Sequence, residues 1–298
     1  MEENHSVENQ PAAVPQSQAV PLRRPSFPSW YDFAVLVVLF AVSQAVIGFV
    51  ALKCGCTVEV MQRIADPANH AGALSDGTMS VVARATALGY IAGMAAMVFM
   101  TLVYRRLRGG RGRVARFSPR GFDPALLLEG FIVVLAGNVV LEPLAELLPG
   151  TPDYNMLGRG GWALLSTVVC APLFEEFLFR GVIMEAVRRR RNAMAAWLIS
   201  SLCFGFAHGL PSQMLMTGVI GLVLGYVCIR SGSLFGSIML HGLNNALAML
   251  LLMIGLGESS FSELLGGGKV YWAVYAVSAV IFVWWAVGAS RKIWRIRN

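Results

Sequence analysis

The stretch 167–187 reads TVVCAPLFEEFLFRGVIMEAV, an apolar run with Glu175, Glu176 and Arg180 near its middle. An ionisable side chain at bilayer depth costs at least about 2.5 kcal/mol, so such groups face a protein interior or a wet cavity and mark function. Two further apolar runs each hold a histidine. Phe204 and His208 lie in SSLCFGFAHGLPSQ, and His241 and Asn245 lie in SIMLHGLNNALAML. A buried set of Glu, Arg, His, His and Asn is the inventory of a catalytic site.

Helical geometry sorts these groups. Positions four apart share a face and adjacent positions differ by about 100°. Glu176 and Arg180 therefore stack as an ion pair within the membrane, and Glu175 is rotated away as the free carboxylate. Phe204 shares a face with His208, and His241 with Asn245, whereas Asn244 points elsewhere. Pro172 lacks an N–H and is expected to open the helix beside the carboxylates.

These residues must be positioned by membrane-spanning helices. Of 298 residues, 56% are hydrophobic and 14% charged, against roughly a quarter charged in soluble domains. Several runs approach the ~20 apolar residues that cross hydrocarbon, and they are continuous, which excludes the alternating segments of a β-barrel. The fold class is all-α, a polytopic membrane protein. Eight spans are expected, approximately 31–52, 81–104, 125–148, 162–187, 193–208, 212–229, 233–255 and 271–289. Residues 1–28 read as a disordered polar tail rich in Gln, Pro and Ser, without the features of a cleavable signal. Residues 29–298 form a single transmembrane domain with a motif-bearing core at about 125–255.

With both termini cytoplasmic, 18 Lys and Arg fall in inner segments (Arg23, Arg24, seven from Arg105 to Arg120, Arg188 to Arg191, Arg230, and four in the tail). Only Lys53, Arg63, Arg159 and Lys269 fall outside. That asymmetry is the positive-inside signature. The net charge of +7 belongs to it, so Arg105–Arg120 reads as a segment resting on anionic lipids, and nucleic acid is not an expected partner. The five cysteines have no metal-type spacing and read as small fillers and loop thiols. Thr217, Gly221 and Gly225 read as a close-packing stripe. Counted from the cytoplasmic ends, Arg180 and His241 lie about 12 Å deep, Glu175 and Asn245 about 20 Å and His208 about 24 Å, which puts the motifs in one slab.

The ordered set EExxxR, FxxxH and HxxxN, carried by Glu175, Glu176, Arg180, Phe204, His208, His241 and Asn245, resembles the CPBP family. That family includes the type II CAAX prenyl endopeptidases and the bacteriocin-processing and self-immunity proteins. The resemblance implies an intramembrane endopeptidase in which Glu175 and His208 activate a water and His241 and Asn245 stabilise the oxyanion. Glu176, Arg180 and Phe204 support them.

Such enzymes are described both as metalloproteases and as glutamate-dependent, metal-free proteases. Zinc, if used, would fall to Glu175, His208 and His241, although no HExxH is present. Spending both histidines on a metal would leave Asn245 as the main side-chain oxyanion donor, worth about 3 kcal/mol, so the scheme without a cofactor is preferred. The expected substrate is a membrane-embedded or lipidated peptide or protein entering from the cytoplasmic leaflet. The expected location is a bacterial inner membrane. The alternatives are a non-catalytic membrane scaffold or immunity factor of the same fold, and a proton-coupled transporter.

Overall fold

The computed structural model describes residues 27–65, 76–109, 114–150, 160–257 and 259–296. The expected tail falls almost wholly outside them. Ten helices are described: α1 (Trp30–Lys53), α2 (Val58–Ala65), α3 (Asp76–Leu107), α4 (Pro124–Glu146), α5 (Gly161–Arg190), α6 (Ala193–Phe206), α7 (Pro211–Ser231), α8 (Leu234–Met253), α9 (Phe261–Leu264) and α10 (Gly268–Trp294). The protein is an all-helical, polytopic membrane protein, and among the described residues seven helices are long and apolar enough to cross a membrane.

The eighth expected span is corrected. The run expected at 193–208 forms α6, a helix of 14 residues, about 21 Å long where hydrocarbon is about 30 Å thick. It stops because Gly209 takes φ +78°, a conformation open to glycine. Leu210 follows in an extended conformation, and Pro211 opens α7. The chain still reverses direction there, so α6 and α7 form an antiparallel hairpin and the alternation of the helices is kept. The two helices approach closely through glycine. A Cβ on Gly205 would meet the Met214 carbonyl at 2.7 Å, and one on Gly225 would meet Trp197 Cδ1 at 2.9 Å. The stripe read as close packing does that work.

Burial separates centre from rim. The apolar window of α7 is 44% buried, against 11% for α1 and 17% for α10, so α7 is the axis of the bundle and the other two are peripheral. Valines such as Val37, Val38, Val277 and Val280 stand exposed on those outer helices, as lipid-facing side chains must.

The basic ends collect at one end of the bundle. Asp32, fully buried in the first turn of α1, accepts from Tyr104 Oη at 2.5 Å and Arg108 Nε at 3.0 Å near the end of α3. It also accepts from the Ser29 amide and hydroxyl, which makes it both helix cap and interhelical staple. Arg190, the last residue of α5, donates to the Pro28 carbonyl at 2.7 Å. Lys292 of α10 donates to Tyr226 Oη of α7 at 3.1 Å. The extended segment 114–118 lies across this same end. Ala115 donates to the Gly181 carbonyl at 3.1 Å, Leu234 donates to the Arg116 carbonyl at 2.9 Å, and Ser233 Oγ exchanges hydrogen bonds with the Ser118 backbone. At the opposite end Ser212 Oγ bonds the Gly150 carbonyl, and the Phe261 amide donates to Glu142 at 2.8 Å. All five cysteines are free.

Candidate active site

The helix that carries the carboxylates is not uniformly α-helical. In α5, residues Leu165–Cys170 and Phe177–Met184 wind as π-helix, and they flank a short α-helical piece, Ala171–Glu176. Wide π turns are rare and concentrate at functional sites. Here proline explains the first of them. The Ala171 amide bonds the Ser166 carbonyl five residues back. The next bond in that series would join residue 172 to the Thr167 carbonyl, but Pro172 has no N–H to give. Thr167 is not left unsatisfied, because its carbonyl accepts from Asn245 Nδ2 at 2.9 Å. The opening expected at Pro172 is thus a local rewinding, bridged by a side chain from α8.

Glu176 and Arg180 form the expected pair. The guanidinium Nη1 donates to Glu176 Oε1 at 2.8 Å, and both side chains are wholly inaccessible to solvent. Arg180 Nη2 also donates to the Gly221 carbonyl on α7 at 2.9 Å. Its guanidinium lies 4.4 Å from the Phe204 ring centroid, a cation–π contact worth about 2 kcal/mol when desolvated. Gly221 is needed for this approach, since a Cβ there would sit 3.1 Å from Phe204 Cδ1 and 3.3 Å from Arg180 Nη2.

Phe204 is the hub of the site. Its ring meets His208 at 5.0 Å, His241 at 5.6 Å and Phe179 at 5.2 Å between centroids, each edge to face. The two imidazoles therefore flank one aromatic ring. His208 Nδ1 lies 2.9 Å from the Phe204 carbonyl. A carbonyl only accepts, so Nδ1 carries the proton, and in the neutral ring Nε2 holds the lone pair. His241 stands between the carboxylates, with Nδ1 3.2 Å from Glu176 Oε1 and Nε2 3.8 Å from Glu175 Oε2. The second distance exceeds hydrogen-bonding range.

Glu175 keeps 13% of its side chain accessible while Glu176 keeps none, so of the two carboxylates only Glu175 can meet water. Its Oε1 accepts from Tyr90 Oη of α3 at 2.6 Å. Glu175, His208, His241 and Asn245 all line one cavity of about 420 Å³, together with Tyr90, Thr167, Thr217 and Asn244. The four side chains expected to converge do share one hollow. Glu176 and Arg180 lie behind its wall.

Three features escape the sequence reading. Tyr90 is one, although a tyrosine in mid-span whose hydroxyl needs a partner was a usable signal. The second contact of Glu176, to His241, is another, since the pair with Arg180 satisfied the spacing argument alone. The third is Asn244, which also lines the cavity and donates to Asn245 Oδ1 at 3.3 Å.

Among the described residues no group of three His, Cys, Asp or Glu side chains is gathered closely enough to hold a metal ion. The set Glu175, His208 and His241 does not fit one as placed, and no step below is routed through a metal.

Residues 159–247 match the family model described as Type II CAAX prenyl endopeptidase Rce1-like. Over that segment the chain is similar to the Rce1-like type II CAAX prenyl endopeptidases. This family is one of peptidases, and the matched segment contains all seven motif residues but not Tyr90. An Escherichia coli relative, "Uncharacterized 24.3 kDa protein", is 37% identical over 126 residues, which cover 38% of this chain and 58% of that one. A Bacillus subtilis (strain 168) relative, "Putative membrane peptidase YdiL", is 27% identical over 177 residues, which cover 54% of this chain and 69% of that one. The chain thus spans little more than half the length of the first of these relatives. No solved structure matches it.

Proposed function

We propose that the chain is an intramembrane endopeptidase that hydrolyses a peptide bond in a membrane-associated peptide or protein, with Glu175 and His208 activating the water and His241 and Asn245 stabilising the oxyanion. The observation that carries this reading is the single cavity lined by all four side chains. Water gives its hydroxyl to the scissile carbonyl carbon and its proton to the base pair. The proton then passes through the glutamic acid to the leaving amine as the C–N bond breaks. His208 suits the base role because Nδ1 is anchored on the Phe204 carbonyl, which fixes the tautomer that leaves Nε2 to accept. Tyr90 spends its donor on Glu175 Oε1, so Oε2 is the oxygen left for the water.

His241 suits the oxyanion role because Nδ1 is held 3.2 Å from Glu176 Oε1, which turns Nε2 toward the Glu175 side of the cavity, where a ring carrying both protons donates to the oxyanion. Asn245 commits one N–H to Thr167 and keeps the other for the developing negative charge. One such donor is worth about 3 kcal/mol in the transition state.

The reading uses no cofactor, and chelation tests that. Cleavage by the purified protein is expected to survive a stringent chelator; loss of activity restored by zinc would overturn the metal-free scheme. In the cell, the proposed location is a bacterial inner membrane, and the arginine asymmetry supports an orientation with the Arg105–Arg120 segment on anionic lipids of the cytoplasmic leaflet. Comparative membrane proteomics of cells carrying the wild-type or the Glu175→Ala chain should reveal uncleaved precursors in the variant only. Identical proteomes would favour the non-catalytic scaffold.

A further inference from the structure

The cavity has a floor and a mouth, and the basic residues tell which face each belongs to. His241 lies about 10 Å in from Leu234, Ile220 about 16 Å from Ser231, Glu175 about 22 Å from Arg190 and Tyr90 about 25 Å from Leu107, at roughly 1.5 Å per residue. Each is the cavity-lining residue of its helix closest to the arginine-rich end. No described lining group reaches that end. The floor is built from Glu176, Arg180 and Phe204, all at 1% exposure or less. Beneath the floor, segment 114–118 is bonded to both α5 and α8, and a Cβ on Gly181 would already lie 3.1 Å from Val114 Cγ1. In the other direction the lining continues through Thr86, Thr217 and Gln213 to Leu252 and Gly257, where α7 begins and α8 ends.

We infer that the cavity is entered from the arginine-poor, extracytoplasmic face. Entry from the cytoplasmic leaflet, expected from sequence, would have to pass the buried floor and the strap. The consequence for substrate rests on the endopeptidase reading. The scissile segment is an internal peptide stretch of an exported or membrane-inserted protein, presented from the outer face, and not the C-terminus of a cytoplasmic protein. The lining supports an uncharged segment. Beyond Glu175 and the two histidines, the described lining residues offer amides, hydroxyls, aliphatic groups and the rings of Tyr90 and Phe204, with no lysine or arginine among them to capture a terminal carboxylate.

The test is sidedness of labelling, which does not depend on catalysis, so its failure and that of the endopeptidase reading are separable. Full-length chains carrying Gln213→Cys, Leu252→Cys or Arg120→Cys are treated with a membrane-impermeant maleimide in spheroplasts and in inverted vesicles. Peptide mass spectrometry reads the modified position, so the five native cysteines stay in place. Cysteines at 213 and 252 are expected to label at least about tenfold faster in spheroplasts, since thiol modification follows access; the one at 120 should show the reverse. Labelling of 213 and 252 only in inverted vesicles, from both faces alike, or from neither face overturns the inference. So does labelling of 120 in spheroplasts. Gln213→Cys and Leu252→Cys stand on different helices, so misfolding of one leaves the other to decide.

Discussion

Exchange of Glu175 for glutamine is expected to lower peptide cleavage roughly 10²- to 10⁴-fold, the range that a positioned acid–base group contributes, while the protein inserts and folds as before. Glutamine is nearly isosteric, and its amide oxygen can still accept from the Tyr90 hydroxyl that meets Oε1 at 2.6 Å. What it loses is the capacity to take and return a proton. The measurement is turnover of a precursor by protein reconstituted in lipid, with melting temperature as the check on folding. Turnover within a few-fold of wild type would remove Glu175 from the base role. Glu176 has no access to water, so it could not stand in.

Removal of Arg180 should act on the fold. Its guanidinium ties Glu176, the Gly221 carbonyl and the Phe204 ring together with no exposed surface. Arg180→Met would strand Glu176 as a buried charge, and breaking such a pair costs about 3–5 kcal/mol. The expected result is a large fall in thermal stability in detergent, along with disordering of His241, which leans on Glu176 at 3.2 Å. Lysine should rescue poorly, because one ammonium cannot reproduce a planar fork that bonds two separate acceptors. Adding Glu176→Gln to the methionine variant should recover part of the loss, since the stranded charge is then gone. A methionine variant that melts like wild type would show that the pair contributes nothing.

Much of this site was legible because four-residue steps on a helix are unambiguous. Glu176 with Arg180, Phe204 with His208, and His241 with Asn245 each pack as their spacing requires. The family resemblance rests on the same residues. What spacing cannot give is contact between distant spans. Tyr90 is 85 residues from Glu175, and nothing local links a hydroxyl in one span to a carboxylate in another. The π turns were half visible: Pro172 announced a missing donor, but only the fold brings Asn245 to the Thr167 carbonyl that the proline leaves bare. The end of α6 was misjudged by two residues for a related reason. His208 continues the apolar run, and the helix breaks just before it, where Gly209 turns.

That early break bears on the surrounding lipid. Leu198, Leu202 and Phe206 form an exposed stripe along α6, and the stripe stops where the helix does, about 21 Å from the start of α6, well short of an ordinary acyl layer. Hydrophobic mismatch of this kind is relieved by thinning the adjacent leaflets or tilting the helix. Thinning of that kind draws headgroups and their hydration shell down alongside His208, and on the endopeptidase reading the annulus would then help to bring water to a depth where hydrocarbon otherwise excludes it.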